Sequence, residues 1–154
     1  MRLLLIVYSL SLACFSFAPS ISMASLGNHR DQIDSERGKL QNATDLQSAD
    51  GEQYSVITMQ SPVYTITQYA NKDGIVFAVK WQGKIRPDLR VLLGSHFDEY
   101  TAAHKGTEKK PGHQPLKVST SKIKVHHSGH MGYLTGFAYQ PEHVPAGVNP
   151  ETLP

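Results

Sequence analysis

The chain has 154 residues, with 15 basic and 13 acidic side chains and a formal net charge of +2. Nucleic acid and anionic membrane surfaces select strongly basic proteins, so this balance argues against both as partners. The length is enough for one domain with a modest core.

The N-terminal residues have the pattern of a secretory signal peptide. One basic residue, Arg2, precedes an uncharged apolar run over residues 3–17, and the small residues Ser22 and Ala24 stand at the −3 and −1 positions of a cleavage site. The run is shorter than the ~20 residues of a membrane-spanning helix, which favours a cleaved signal over a membrane anchor. We predict a signal peptide over residues 1–24, a periplasmic or secreted location, and no membrane span after cleavage.

Cys14 is the single cysteine of the chain, and the residues before it have some likeness to a lipoprotein signal. Leu12 stands where lipoproteins hold a small residue, and Ser11 replaces the usual leucine, so lipidation is the less favoured alternative. Cleavage after Ala24 leaves a chain without a thiol. That excludes a disulfide, a cysteine nucleophile and a thiolate metal site.

The segments that follow differ in composition. Residues 25–51 are polar, and their large aliphatic side chains are too sparse for a core-facing helix. We predict a polar arm there with a weak helix over about residues 30–42, a mobile arm being the alternative. A single domain is predicted over residues 52–141, and an extended tail over residues 142–154.

The first half of the domain has the amino-acid composition of β-strands. Residues 54–60 and 63–70 are rich in Tyr, Val, Ile and Thr, and Pro62 marks an edge, a bulge or a break between them. Asp73-Gly74 predicts a tight turn into a strand over residues 75–82. Alternation along that strand predicts one face formed by Ile75, Phe77, Val79 and Trp81, and another formed by Val76, Ala78, Lys80 and Gln82.

An amphipathic helix is predicted over residues 87–104. Pro87 suits the first turn of a helix, and Asp88 is favourable near the positive end of the helix dipole. Gly94 in mid-helix indicates a close approach to the sheet. The apolar face comprises Leu89, Leu92, Leu93, His96, Phe97 and Tyr100.

The remaining elements complete an α+β fold. Residues 116–126 predict one strand, with a change of apolar parity between Val118 and Ile123 that indicates a bulge. Ser128-Gly129 predicts a turn into a last strand over residues 131–139. The expected fold is a small, mostly antiparallel sheet of about five strands, with one amphipathic helix packed on it and a weak N-terminal helix. The predicted core comprises Phe77, Val79, Trp81, Leu89, Leu92, Leu93, Phe97 and Tyr133.

The junction between the strand and the helix concentrates side chains that could hold a ligand. An indole, two guanidinium groups and a helix N-terminus could together hold an anionic or peptide ligand. The candidate ligand-binding residues are Trp81, Arg86, Asp88 and Arg90. The alternative is a packing corner, in which Trp81 joins the sheet to the helix and the charged residues are solvated. A ligand site requires Trp81 and the two arginines to be exposed together in a concavity.

Histidines offer the second candidate site. A tight hairpin could bring His126 and His130 together to bind zinc, copper or nickel. His127 would face the other way, and no carboxylate stands beside the cluster, so solvated turn histidines are the alternative. His96 lies on the apolar helix face, which favours a core role over that of a base. With no nucleophile elbow, phosphate loop or dinucleotide fingerprint, we predict no catalytic residue and no cofactor.

The central segment resembles a known family. The strand "GIVFAVKWQG" and the helix start "PDLRVLLGSHF" are similar to the patterns "G-x-V-F-A-V-x-W-x-G" and "P-D-L-R-x-L-L-G-x-x-F" of exported bacterial proteins that share domain of unknown function 2844. Leu26-Gly27, Gly129-His130-Met131 and Pro141 are also similar to the family, so the resemblance extends over the mature chain. It implies an exported, periplasmic protein of a Gram-negative bacterium, and no activity, cofactor, partner or site residue.

These observations favour a non-enzymatic accessory or binding protein of the bacterial envelope, whose partner could be an envelope protein. A small periplasmic hydrolase using His96 or the histidines of 126–130 is one alternative, and a histidine-mediated metal-binding protein is another.

Overall fold

A computed structural model describes residues 26–30, 45–106 and 115–154. The predicted signal peptide lies outside these residues, and so does nearly all of the predicted helix over 30–42. Among the residues described, no helix is both long enough and apolar enough to cross a membrane.

Within the described ranges, seven strands form one sheet in which every neighbouring pair is antiparallel. The strands are β1 (Asp45–Asp50), β2 (Tyr54–Gln60), β3 (Tyr64–Asn71), β4 (Val76–Gly83), β5 (Leu116–Ser119), β6 (Lys124–His130) and β7 (Tyr133–Tyr139). Their order in the sheet is β1-β2-β3-β4-β7-β6-β5, so the two halves of the chain meet where β4 pairs with β7. The prediction of about five strands is therefore wrong.

Two features of the chain account for the extra strands. The first is β1, which lies inside the segment predicted to be a polar arm and pairs with β2 along its whole length. The second is a turn at Thr120, whose hydroxyl oxygen accepts hydrogen bonds from the backbone N–H groups of Lys122 and Ile123. The change in apolar alternation between Val118 and Ile123, from which a bulge was predicted, thus marks the reversal between β5 and β6. The next reversal falls at Met131-Gly132, and Ser128-Gly129 lies within β6.

A bulge in β4 corrects the predicted alternation of that strand. Tyr69 pairs with Ala78 and the next residue, Ala70, pairs with Val76, so Phe77 is the extra residue of the bulge. Val76 then joins Val79 and Trp81 on one face of the sheet, and Phe77 joins Ala78 in the cluster on the other.

The predicted helix is present but broken. Its first part is α1 (Leu89–Leu93), where the side chain of Asp88 accepts a hydrogen bond from the backbone N–H of Arg90 over 2.8 Å. Gly94 has φ +52°, so the backbone leaves the helical conformation there and α1 ends. Few residues other than glycine tolerate this conformation. A 3-10 turn over Gly94–His96 leads into α2 (Phe97–Gly106).

The main core lies between the helices and one face of the sheet, here called the helix side. It includes Trp81, Leu89, Leu92 and Leu93, as predicted. Leu26, just outside the predicted signal peptide, is fully buried in this core, and its N–H donates to the carbonyl oxygen of Leu92. Tyr133 does not belong to the core, since 49% of it is exposed.

The opposite face carries a second, aromatic cluster. It is built on Tyr69, Phe77, Ala78 and Tyr139. The C-terminal segment over residues 141–154, here called the strap, packs three apolar side chains against it: Val144, Val148 and Leu153. The hydroxyl of Tyr69 donates to the carbonyl oxygen of Pro154, and the strap contains two 3-10 turns, Pro141–His143 and Pro150–Thr152. The tail predicted to be extended thus folds back across the sheet.

Candidate functional site

The residues of the ligand site predicted at the junction of β4 and α1 serve mainly in packing. Trp81 is only 1% exposed, in the core between β4 and the helices. Asp88 caps α1, and the guanidinium carbon of Arg90 lies 5.0 Å from the centre of the Phe97 ring, a cation–π contact. Arg86 is exposed. The structure therefore does not expose Trp81 together with the two arginines, which the predicted site requires.

The indole of Trp81 lies instead across the neighbouring strand. The register pairs Trp81 with Gly136 on β7, and Gly136 with His127 on β6. Because Gly136 has no side chain, the indole passes over it and reaches His127, at 5.3 Å between ring centres. Three strands are thus joined by one aromatic row on the helix side.

A hydrogen bond joins this row to the helix. The hydroxyl of Tyr100 on α2 lies 2.9 Å from Nε2 of His127, and both residues are buried. The ring of His104 stacks on that of Tyr100, with ring centres 5.7 Å apart and planes within 2° of parallel. Nδ1 of His104 is buried and has no hydrogen-bond partner among the described residues.

The electrostatics of this cluster keep His127 neutral. Burial lowers the pKa of His127, and the positive charge of Arg86, with His104 and His126, lowers it too, so that the pKa falls to about 4. Burial raises the pKa of Tyr100, while Arg86 opposes that rise. At neutral pH an uncharged imidazole therefore faces an uncharged phenol, an arrangement suited to joining sheet and helix.

The surroundings of His96 also favour a structural role over that of a catalytic base. Its Nε2 lies 2.6 Å from the side-chain amide nitrogen of Gln140, which donates to it. Burial lowers the pKa of His96; Glu99 opposes this effect, and Lys122 and His143 reinforce it. A base needs a free lone pair beside its substrate, whereas the lone pair of Nε2 is held here by an amide.

The two candidate metal ligands, His126 and His130, lie far apart along a single strand. Both His126 and His130 lie on β6, on the same side of the turn. Four residues of a strand span about 13 Å, too far for two imidazoles to share an ion. In the parts of the chain that the structure describes, no group of three or more His, Cys, Asp or Glu side chains could hold a metal ion.

A groove lies on the sheet face opposite the helices. Its cavity volume is about 400 Å³, within the ~300–1,000 Å³ range of small-molecule sites. One register row crosses its floor from β4 to β5: Lys80, Phe137, His126 and Lys117. A second row contributes Gln82, Thr135 and Ser128, and the hydroxyls of Thr135 and Ser128 lie 2.8 Å apart.

The strap forms one wall of this groove. Pro150, Glu151 and Leu153 stand beside the floor, and Leu153 also packs on the aromatic cluster. The strap covers the part of this face around Tyr69 and Phe77 and stops beside Phe137. The groove is therefore the part of the sheet face between the strap and the β5 edge.

Positive charge gathers on the groove side of the sheet. Lys80 and Lys117 line the floor, and the ammonium group of Lys124 lies 5.7 Å from the centre of the Tyr139 ring. The only ion pair that joins two described residues is that of Arg30 with Asp50, so no described carboxylate pairs with these lysines. Of the described residues that line the groove, Glu151 is the one with a carboxylate.

Only part of this groove can be predicted from the amino-acid sequence. Alternation along β4 correctly places Lys80 and Gln82 on one face, but their neighbours depend on the pairing of β4 with β7, which joins residues more than fifty positions apart. His126 is singled out by its neighbouring histidines rather than by Phe137 and Lys117, which flank it in the sheet. Polar residues at alternate positions on the last three strands are the one local signal for this site.

Together these features define a small α+β protein: an antiparallel sheet of seven strands, with helices on one face and a groove and a strap on the other. A family model described as "Protein of unknown function (DUF2844)" matches residues 22–153. The chain belongs to this family, as the resemblance of its central segment predicts. Comparisons with curated proteins and with solved structures gave no match.

Proposed function

We propose that the protein is an exported, non-enzymatic binding protein of the bacterial envelope, which holds a small ligand in the groove. Export is supported by the signal-like pattern of residues 1–24 and by the burial of Leu26 just beyond the proposed cleavage site, so that cleavage there keeps this core residue in the mature chain.

The observation that carries the binding role is the composition of the groove. Its floor presents an aromatic ring, Phe137, between polar and charged side chains that do not pair with one another as ions. Ligand sites commonly combine an apolar surface with a few polar groups that fix orientation. The floor is made of strands joined by continuous antiparallel pairing from β4 through β7 to β6, so the site is formed before a ligand arrives.

Two linked measurements test this proposal. Cells expressing the full chain are fractionated by osmotic shock, and the released protein is mixed with a small-molecule extract of the periplasm while its thermal unfolding is followed. We expect the protein in the shock fluid, and an extract that raises its unfolding temperature, because a ligand that binds only the folded state stabilises it.

A pair of tryptophan variants locates the effect. Ser128→Trp places a large side chain from an exposed position into the groove, whereas Ser121→Trp places the same side chain at the exposed turn between β5 and β6. The extract should no longer stabilise Ser128→Trp but should still stabilise Ser121→Trp. Retention of the protein in the cytoplasm would contradict export, and equal stabilisation of both variants would contradict binding in the groove.

A further inference from the structure

We infer that the ligand of the groove is a small anion that carries an apolar or aromatic group, such as an aryl or acyl phosphate or carboxylate. This inference rests on the proposed binding function and specifies its ligand class. The juxtaposition that carries it is the row Lys80–Phe137–His126–Lys117, in which a lysine stands at each end and the rings of Phe137 and His126 lie between them.

The distances in this row suit a small ligand. Adjacent strands lie ~4.8 Å apart, so the backbones of Lys80 and Lys117 are separated by about 14 Å across three steps of the sheet. A lysine side chain reaches roughly 6 Å from its backbone, and both ammonium groups can therefore approach one anionic group placed above Phe137 and His126.

The environment of the lysines favours an anion over a neutral ligand. Ammonium groups concentrated on one face attract an anion, and within the described part of the chain no carboxylate neutralises Lys80 or Lys117. Phe137 is half-buried, with its ring 5.5 Å from that of Tyr139, and it offers an apolar surface beside this charge. A ligand with both an anionic and an apolar part uses both features.

The negative charge of Glu151 allows an anionic ligand to be distinguished from a cationic one. Glu151 lines the groove wall and its negative charge repels an anion, so removal of that charge should strengthen anion binding and weaken the binding of a cation. A neutral ligand would respond to neither the lysines nor Glu151. The three ligand charges therefore predict three different responses.

The experiment uses phenyl phosphate, benzyl alcohol and benzylamine as probes, with inorganic phosphate as the fourth. Binding is followed through the backbone amide signals of Thr135, Phe137 and His126 in two-dimensional NMR spectra of the ¹⁵N-labelled protein. We expect phenyl phosphate to shift these signals, and benzyl alcohol and benzylamine to leave them in place. Inorganic phosphate should bind more weakly than phenyl phosphate, since it lacks the ring that packs on Phe137.

Charge variants complete the test. K80Q/K117Q should weaken phenyl phosphate binding by about tenfold, since two charge-assisted contacts are lost, and E151Q should strengthen it by about twofold. The matched control K72Q/K105Q removes two exposed lysines outside the groove, and it should leave the affinity within about twofold because distant charges are screened.

The outcomes separate the ligand class from the binding function. Equal binding of the three aryl probes, or an affinity that K80Q/K117Q leaves unchanged, would overturn the anionic ligand. Inorganic phosphate binding as tightly as phenyl phosphate would overturn its apolar part. If the periplasmic extract stabilises the protein through the groove while phenyl phosphate does not bind, the ligand class is wrong and the binding function stands. If neither extract nor probe acts through the groove, both proposals fail.

Discussion

The indole of Trp81 lies against the backbone of Gly136 so closely that a Cβ atom at Gly136 would stand 2.0 Å from Cζ2 of the ring. The missing side chain lets the indole cross β7 and touch His127 on β6. Trp81 therefore joins both halves of the sheet where β4 meets β7.

Gly136→Ala should destabilise the protein. The new methyl group would overlap a rigid ring that is itself surrounded by the core, and we expect a loss of about 3 kcal/mol in the free energy of unfolding, at the upper end for overpacking. Urea unfolding measures this loss. Gly106→Ala is the control, because a Cβ at Gly106 meets no atom of the described residues within 4 Å, and it should change stability by less than about 0.5 kcal/mol.

A second substitution tests whether the loss of stability in Gly136→Ala comes from overlap with the indole of Trp81. Trp81→Leu removes the atoms that the new methyl group would overlap, so the Trp81→Leu, Gly136→Ala double variant should lose less stability than the two single losses together. Additive losses would show that the clash is relieved elsewhere.

The junction of β4 with β7 also shows where local patterns stop being informative. Periodicity correctly indicates β2, β3 and the helical segment, because each reflects one buried face of a short stretch. It misplaces Phe77, since a bulge shifts which side chains share a face and depends on pairing with Tyr69 and Ala70 of β3. The groove lies beyond local patterns for the same reason: Lys80 and Lys117 become neighbours of Phe137 and His126 only through pairing between distant segments.

Removal of the Tyr100 hydroxyl should weaken the link between α2 and β6. Tyr100→Phe leaves Nε2 of His127 buried without its partner at 2.9 Å, and we expect a cost of about 1–2 kcal/mol. Tyr133→Phe is the control, because the hydroxyl of Tyr133 is exposed and makes only a 3.4 Å contact with Gln82. Equal unfolding midpoints for the two variants in urea would contradict a stabilising role for the Tyr100 hydroxyl.

Detachment of the strap should expose the aromatic cluster beneath it. Val148→Asp places a charge among apolar side chains that pack on Tyr69 and Phe77, whereas Ala146→Asp places it at an exposed position of the same segment. Burial, with a contribution from Tyr54, raises the pKa of Tyr69 from 10.0 to about 12. Spectrophotometric titration of the tyrosines should show this pKa falling towards 10.0 in Val148→Asp but not in Ala146→Asp.

Hydrogen exchange provides an independent measure of the strap. The N–H groups of Val148 and Thr152 donate to carbonyl oxygens within the strap, over 3.1 Å and 3.2 Å. Both should exchange faster in Val148→Asp than in Ala146→Asp, because detachment exposes them to water. Unchanged exchange together with an unchanged titration would show that Val148 does not hold the strap.

The buried imidazole of His127 should make the protein less stable in acid. Its pKa is lowered from 6.5 to about 4, first by burial and then by the charges of Arg86, His104 and His126. Between these two values the unfolded chain binds a proton that the folded protein excludes, so stability falls as the pH drops from about 6.5 to about 4. The full shift corresponds to about 3 kcal/mol. Urea unfolding at a series of pH values measures this slope.

Substitution of His127 assigns the slope to this residue. His127→Gln keeps a polar group that can bond to the Tyr100 hydroxyl but cannot take up a proton, so stability should vary less between pH 4 and pH 6.5. His130→Gln, at an exposed position of the same strand, should keep the wild-type slope. An NMR titration of the His127 ring in the wild-type protein gives a reading that does not depend on the variant folding. A midpoint near 6.5 there would show that burial does not hold this imidazole neutral, and the acid sensitivity would then need another source.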